Sequence, residues 1–118
     1  MRRSRQRATH SLETIKALSA KGNLTVNGRS LRWIRNHLDR FDGMQVVQRV
    51  VSSIQPEHFQ KSDELEAIPG QWADIYRYVK TGDEELDGED GWYVKAFIDD
   101  SQALRLSIMS ANWEGYIH

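Results

Sequence analysis

The spacing of apolar residues changes near Phe59, and that change most narrows the folds open to this chain. Upstream, apolar residues recur every three or four positions, as on one helix face. Downstream they recur every second position, as on one face of a strand. A block of helices followed by a block of strands is an α+β pattern rather than an alternating α/β one. With 118 residues and 39% hydrophobic content, the chain suits one domain and has the material for a core.

The first helix is expected over Ser11–Lys21, with Leu12, Ile15 and Leu18 on one face. Thr9 or Ser11 can cap it, and Gly22 sits where a helix-ending glycine belongs. A short strand, Leu24–Val26, follows, and Asn27-Gly28 reads as a turn. Further helices are expected from Ser30 to Leu38 and from Asp42 to Ser53, with a short turn or helix opened by Pro56.

Strands are expected at Gln71–Val79, Trp92–Ile98 and Leu104–Met109. Parity decides how the last two pair. A two-residue turn at Asp100-Ser101 would set Ala96 opposite Arg105. Pairing Ile98 with Leu104 puts like against like and leaves a five-residue loop, Asp99 to Ala103. Tyr93, Lys95 and Phe97 then share a face with Arg105, Ser107 and Met109.

Charge is divided along the chain. Residues 1–50 hold eleven Lys/Arg against three Asp/Glu, and residues 51–118 hold five against fourteen. The basic half suits an anionic partner such as a phosphate backbone. Residues 1–8, rich in arginine, are expected as a basic flexible tail, and residues 9–118 as one domain. Six acids in the eight residues Asp83–Asp90 lack EF-hand spacing and read as a self-repelling surface loop.

Several chemistries are excluded. The chain has no cysteine, which removes disulfide scaffolds, thiol catalysis and zinc knuckles and makes a cytoplasmic, reducing compartment the expectation. No apolar run approaches the roughly 18 residues of a membrane-spanning helix. There is no phosphate-binding glycine loop or nucleophile elbow, and His10, His37, His58 and His118 stand in no metal-ligand spacing. What remains is a polar set of Lys61, Gln71, Arg77, Tyr93, Lys95 and Arg105. A sheet face presenting Tyr, Lys and Arg can stack a base and hold a phosphate. Ordinary alternation, with long amphipathic side chains lying over a sheet, gives the same pattern.

Five short motifs in order resemble the MqsR family (motility quorum-sensing regulator toxins). They are Thr9-His10, Phe41-Asp42-Gly43-Met44, Phe59-Gln60-Lys61-Ser62, Trp72-Ala73-Asp74-Ile75-Tyr76 and Trp92-Tyr93-Val94-Lys95, spanning about residues 9–110. The resemblance implies a RelE-like α+β domain, N-terminal helices packed on an antiparallel sheet. It also implies a metal-independent endoribonuclease that cleaves mRNA without cofactors and is neutralised by a cognate antitoxin.

Carried over by position, the family's catalytic lysine falls on Lys61 and its catalytic tyrosine on Tyr93. Its glutamine falls on Ala73, which can neither donate nor accept through its side chain. Gln71, two residues earlier and expected on the same strand face, is the candidate replacement, offset by roughly 7 Å along the strand. Arg77, Lys95 and Arg105 are the candidate RNA-binding residues. Ala73 also motivates a second reading, a weakened or inactive nucleic-acid or protein-interaction module on the same fold. A third reading is a helical DNA-binding regulator using Arg29, Arg32 and Arg35. The antitoxin is expected at a sheet edge, with Leu24–Val26 or Gln71–Val79 as candidates.

Overall fold

A computed structural model of the chain describes residues 3–79 and 85–111. Its elements run β1 (Ser4–Arg5), α1 (Leu12–Ala20), β2 (Leu24–Val26), α2 (Gly28–His37) and α3 (Gly43–Ser53). A single 3₁₀ turn (Pro56–His58) then leads to β3 (Phe59–Glu64), β4 (Trp72–Val79), β5 (Gly91–Ile98) and β6 (Leu104–Ser110). The chain is therefore α+β, as the change of period predicts. Parts of three expectations lie outside the described residues: the start of the basic tail, Asp83-Glu84 of the acidic loop, and the domain beyond Ala111.

The helices end where their capping chemistry dictates. Ser11 caps α1 by accepting the Thr14 N–H at 3.4 Å, and Gly22 leaves the helix at φ +77°, which glycine adopts without strain. α2 starts two residues earlier than its apolar spacing predicts. Asn27 is its cap, accepting the Arg29 N–H at 2.7 Å, so the expected Asn-Gly turn is a helix start. α3 buries Val46, Val47, Val50 and Val51 completely, with Ile54 just beyond its end. Each such side chain contributes on the order of 1.5–3 kcal/mol through burial.

One six-stranded sheet carries the order β1-β3-β4-β5-β6-β2. All pairs are antiparallel except β2 with β6, so the sheet is mixed rather than wholly antiparallel. Ile98 pairs with Leu104, the register that parity selects. The helices cover the face built from Tyr76 on β4, Trp92, Val94 and Ala96 on β5, and Leu104, Leu106 and Ile108 on β6. Past Leu106, α2 takes over the outer edge of β6: the Asn27 N–H donates to the Leu106 carbonyl and the Ile108 N–H to the Ser30 hydroxyl oxygen.

Four expectations need correction. β4 begins at Trp72, because Gln71 closes the preceding loop. Its N–H donates to Ile68 and its carbonyl accepts from Leu65. β4 also lies between β3 and β5, so it offers no edge to a partner, whereas Leu24–Val26 does. Ser4 and Arg5, placed in the mobile tail, form β1 against Asp63 and Ser62. Arg3 is bound to Glu64, and the Arg5 guanidinium lies 4.1 Å from the Trp72 ring centroid. Finally, the acidic loop is not uniformly self-repelling. Asp87 takes Arg40 at 2.7 Å and Arg49 at 2.6 Å, tying the loop to α3 and to the segment that leads into it. Burial pushes the Asp87 carboxyl up, but hydrogen bonds from Arg49 and then Arg40 outweigh it and leave the group below its ordinary value.

The loop entering α1 is held from the sheet. Asp74, fully buried on β4, accepts the backbone N–H groups of Thr9 and His10, while the Thr9 and Ser62 hydroxyls meet at 2.8 Å. Thr9-His10 and the motif around Asp74 are thus two halves of one structural joint.

Candidate functional site

On β5 the even positions are buried under the helices, so Tyr93, Lys95 and Phe97 face the other way. The register extends that face across the sheet. Lys95 pairs with Ile75 on one side and Ser107 on the other, and Ile75 pairs in turn with Lys61. One row toward the C-terminal end of β4, Arg77, Tyr93 and Met109 stand in line. In the opposite direction Phe97, Arg105 and Thr25 stand in line, while Asp63 pairs with Ala73. Lys61, Arg77, Tyr93, Lys95 and Arg105 therefore share one helix-free face.

The face has an apolar floor and a cationic rim. Ala73, Ile75 and Phe97 are buried without a covering helix layer and Met109 is buried where this face meets α2, while Lys61, Lys95 and Tyr93 are half-buried and Arg77 and Arg105 exposed. Long side chains of this kind shield apolar surface with their stems and keep their charged ends in water. A groove of about 280 Å³ opens there, lined by Ala73, Lys95, Phe97, Arg105, Ser107 and Thr25 among others.

Strand geometry sets the separation of the two sequence-predicted catalytic residues. Lys61 and Tyr93 stand two strands apart and two residues out of line, so their backbones are roughly 12 Å apart at ordinary strand spacing and rise. Both side chains are long and rise from the same face, with only Ile75, Lys95 and Arg77 between them. Gln71 is elsewhere. It precedes Ile75 by four residues and Arg77 by six, which places it roughly 13 Å along the sheet from the Lys61 row and 20 Å from the Tyr93 row. The structure groups Lys61, Arg77, Tyr93 and Lys95, sets Arg105 at the adjoining end, and leaves Gln71 at the hairpin loop.

Local partners give these groups different roles. The Lys61 ammonium is 3.5 Å from the Asp63 carboxylate, which is buried and also accepts a hydrogen bond from the Ser4 hydroxyl. That pairing orients the ammonium and favours electrostatic work over proton abstraction. The Arg77 guanidinium lies 5.7 Å from the Tyr93 ring centroid, close enough for a cation–π contact that steadies the phenol. Arg105 is bound to Asp99 at 2.8 Å, and its hydrogen bond, ahead of the Ala103 N–H, holds the Asp99 carboxyl below its ordinary value. Lys95 and Arg77 have no ion pair among the described residues, which leaves their charges the least offset on the face.

Two contributors escape sequence reading. Asp63 stands two residues from Lys61, a same-face spacing that becomes visible only once β3 is known to be a strand. Thr25 reaches the groove because β2 returns to the far side of β6, a long-range pairing that no local pattern shows. Among the described residues, no three His, Asp or Glu side chains gather in a way that could hold a metal ion, and no helix is long and apolar enough to cross a membrane. No protein-family model and no curated protein matches the chain.

Proposed function

We propose that the chain is a metal-independent endoribonuclease that cuts single-stranded mRNA, the toxin of a type II toxin–antitoxin pair with a RelE-like domain of the MqsR kind. The observation that carries this reading is the clustering of an ammonium, a phenol and a guanidinium, on Lys61, Tyr93 and Arg77, on one open sheet face beside Lys95. The ordered motifs around Lys61 and Tyr93 support it.

Scission uses the RNA's own 2′-hydroxyl. Its oxygen bonds to phosphorus, its proton passes to water, and the bond from phosphorus to the 5′ oxygen breaks. Tyr93 gives its phenolic proton to that departing oxygen and regains one from solvent. General acid assistance of this kind supplies about 10²–10⁴-fold. Lys61, held by Asp63, stabilises the extra negative charge on phosphorus, and Arg77 clamps a phosphate oxygen through its planar fork. Lys95 adds positive potential. Arg105 and Thr25 hold the strand beyond the cut, where the groove continues.

Ala73 favours a second reading, a module on the same fold that binds RNA or protein without cutting. An alanine at the family's glutamine position supplies no side-chain hydrogen bond, and Gln71 stands too far away to replace it. One experiment separates the two. Purified protein incubated with single-stranded RNA and a chelator leaves 2′,3′-cyclic phosphate and 5′-hydroxyl ends under the first reading. Intact RNA supports the second. The antitoxin, under the first reading, meets the sheet at an outer edge, for which Leu24–Val26, the border strand beside β6, is the candidate.

A further inference from the structure

Phe41 is 86% exposed, the most exposed large apolar side chain among the described residues, and the site just described makes no use of it. Its display is fixed. Arg40 and Asp42, on either side of it, are bound to each other at 2.6 Å, and Asp87 and Arg49 complete the cluster. Asp39, two residues before, adopts φ +52°, which turns the chain sharply out of α2. A ring held outward by locked neighbours is a surface prepared for contact.

That ring does not stand alone. Phe41 lines a groove of about 340 Å³ with Arg32 and Arg35 of α2. Arg32 also lines a second groove, of about 180 Å³, with Arg29 and Met109. Met109 pairs with Tyr93 on the open sheet face. A continuous path therefore leads from Tyr93 over Met109 to Arg29, Arg32 and Arg35, and ends at Phe41. The three arginines are spaced three residues apart, one helical turn each, roughly 5–6 Å between neighbours. All three are exposed, and their guanidinium groups make no hydrogen bond or ion pair among the described residues.

From this juxtaposition we infer that α2 and Phe41 form a track for single-stranded RNA flanking the cut, with phosphates along Arg29, Arg32 and Arg35 and a base stacked on Phe41. A row of unpaired cations ending in an exposed aromatic ring is the arrangement that binds single strands without reading sequence. The proposal rests on the ribonuclease reading for its substrate class, but the track binds RNA whether or not the sheet face cuts it.

The test uses the full chain and fluorescent single-stranded RNA bearing 2′-O-methyl groups, which block cleavage, in lengths of about sixteen and about four nucleotides. Fluorescence anisotropy is read over a range of salt. Arg32→Ala with Arg35→Ala is expected to weaken binding of the long RNA and flatten its log–log salt dependence by about 1.4, near 0.7 for each lost phosphate contact. Phe41→Ala is expected to weaken it about tenfold at every salt concentration, as loss of stacking does. The short RNA, held by the sheet face, binds all three proteins alike. Unchanged long-RNA affinity in the variants overturns the track even if parent protein cuts RNA. So does a loss confined to duplex DNA or to a polyglutamate competitor. If unblocked RNA stays intact while the variants lose long-RNA binding, the ribonuclease reading fails and the track stands.

Discussion

The Asp74 carboxylate accepts the backbone N–H of His10 at 2.8 Å, joining the middle of the sheet to the loop that opens α1. A second backbone N–H, from Thr9, shares the same carboxylate at 2.9 Å. Replacing Asp74 with alanine strips both backbone donors of their buried acceptor. The expected loss is about 2–4 kcal/mol, since hydrogen bonds to a charged group are worth more than neutral ones. Asp74→Asn keeps an acceptor and is expected to lose less. Urea unfolding midpoints of the two variants check the order.

Lys61 and Tyr93 are predicted to carry activity. Lys61→Ala and Tyr93→Phe are each expected to slow RNA scission at least about tenfold. The urea midpoint stays close to that of the parent for Tyr93→Phe and falls for Lys61→Ala, which takes the cation from the buried Asp63 carboxylate. Rates on an end-labelled RNA provide the measurement. Parent-like cleavage by both variants would remove the site from this face.

Gln71 and Arg77 offer a contrast drawn from their rows in the sheet. Gln71 sits at the hairpin loop, and Gln71→Ala is expected to leave the rate within about twofold of the parent. Arg77 sits beside Tyr93, and Arg77→Ala is expected to cost about tenfold or more. The reverse order would mean that the loop swings over the sheet when RNA binds.

The N-terminal arm is predicted to release in acid. The hydrogen bond from Arg3, and after it the N–H of Gly70, lower the Glu64 carboxyl from 4.5 to about 2. Because the folded value is the depressed one, the linkage is fully present above about pH 4.5 and disappears as pH falls through about 2. The Glu64 N–H, which donates to the Arg3 carbonyl, should lose its protection from hydrogen exchange in that window. Glu64→Gln should weaken that protection already at neutral pH.

Much of this architecture is legible in the chain because burial on one side forces strict alternation. Trp92, Val94 and Ala96 must share the helix-covered face, so Tyr93 and Lys95 take the other, and parity alone selects Ile98 opposite Leu104. β3 is hidden for two physical reasons. A bulge at Gln60 breaks the period between Phe59 and Lys61, and its inward positions Ser62 and Glu64 are polar, satisfied by contacts with Thr9 and Arg3. With β3 unseen, the Asp63 partner of Lys61 is unseen too. For Gln71, a two-residue offset from Ala73 identifies the side of the sheet but says nothing of the distance to Lys61 and Tyr93, which only cross-strand register supplies. Arg5 over Trp72 joins residues far apart in sequence, beyond the reach of any local rule.

The outermost strands have a consequence for anything that would lengthen the sheet. At one border Ser4 and Arg5 already occupy the rail beside Ser62 and Asp63, and the kink at Gln60 spoils the remainder of it for straight pairing. At the other border only Leu24–Val26 is laid down, after which the polypeptide turns into α2 and shuts the rest of β6. An intruding strand must therefore evict β1, pair with that two-residue strand, or make do with a three-residue berth on β2, so docking by sheet extension finds little open rail.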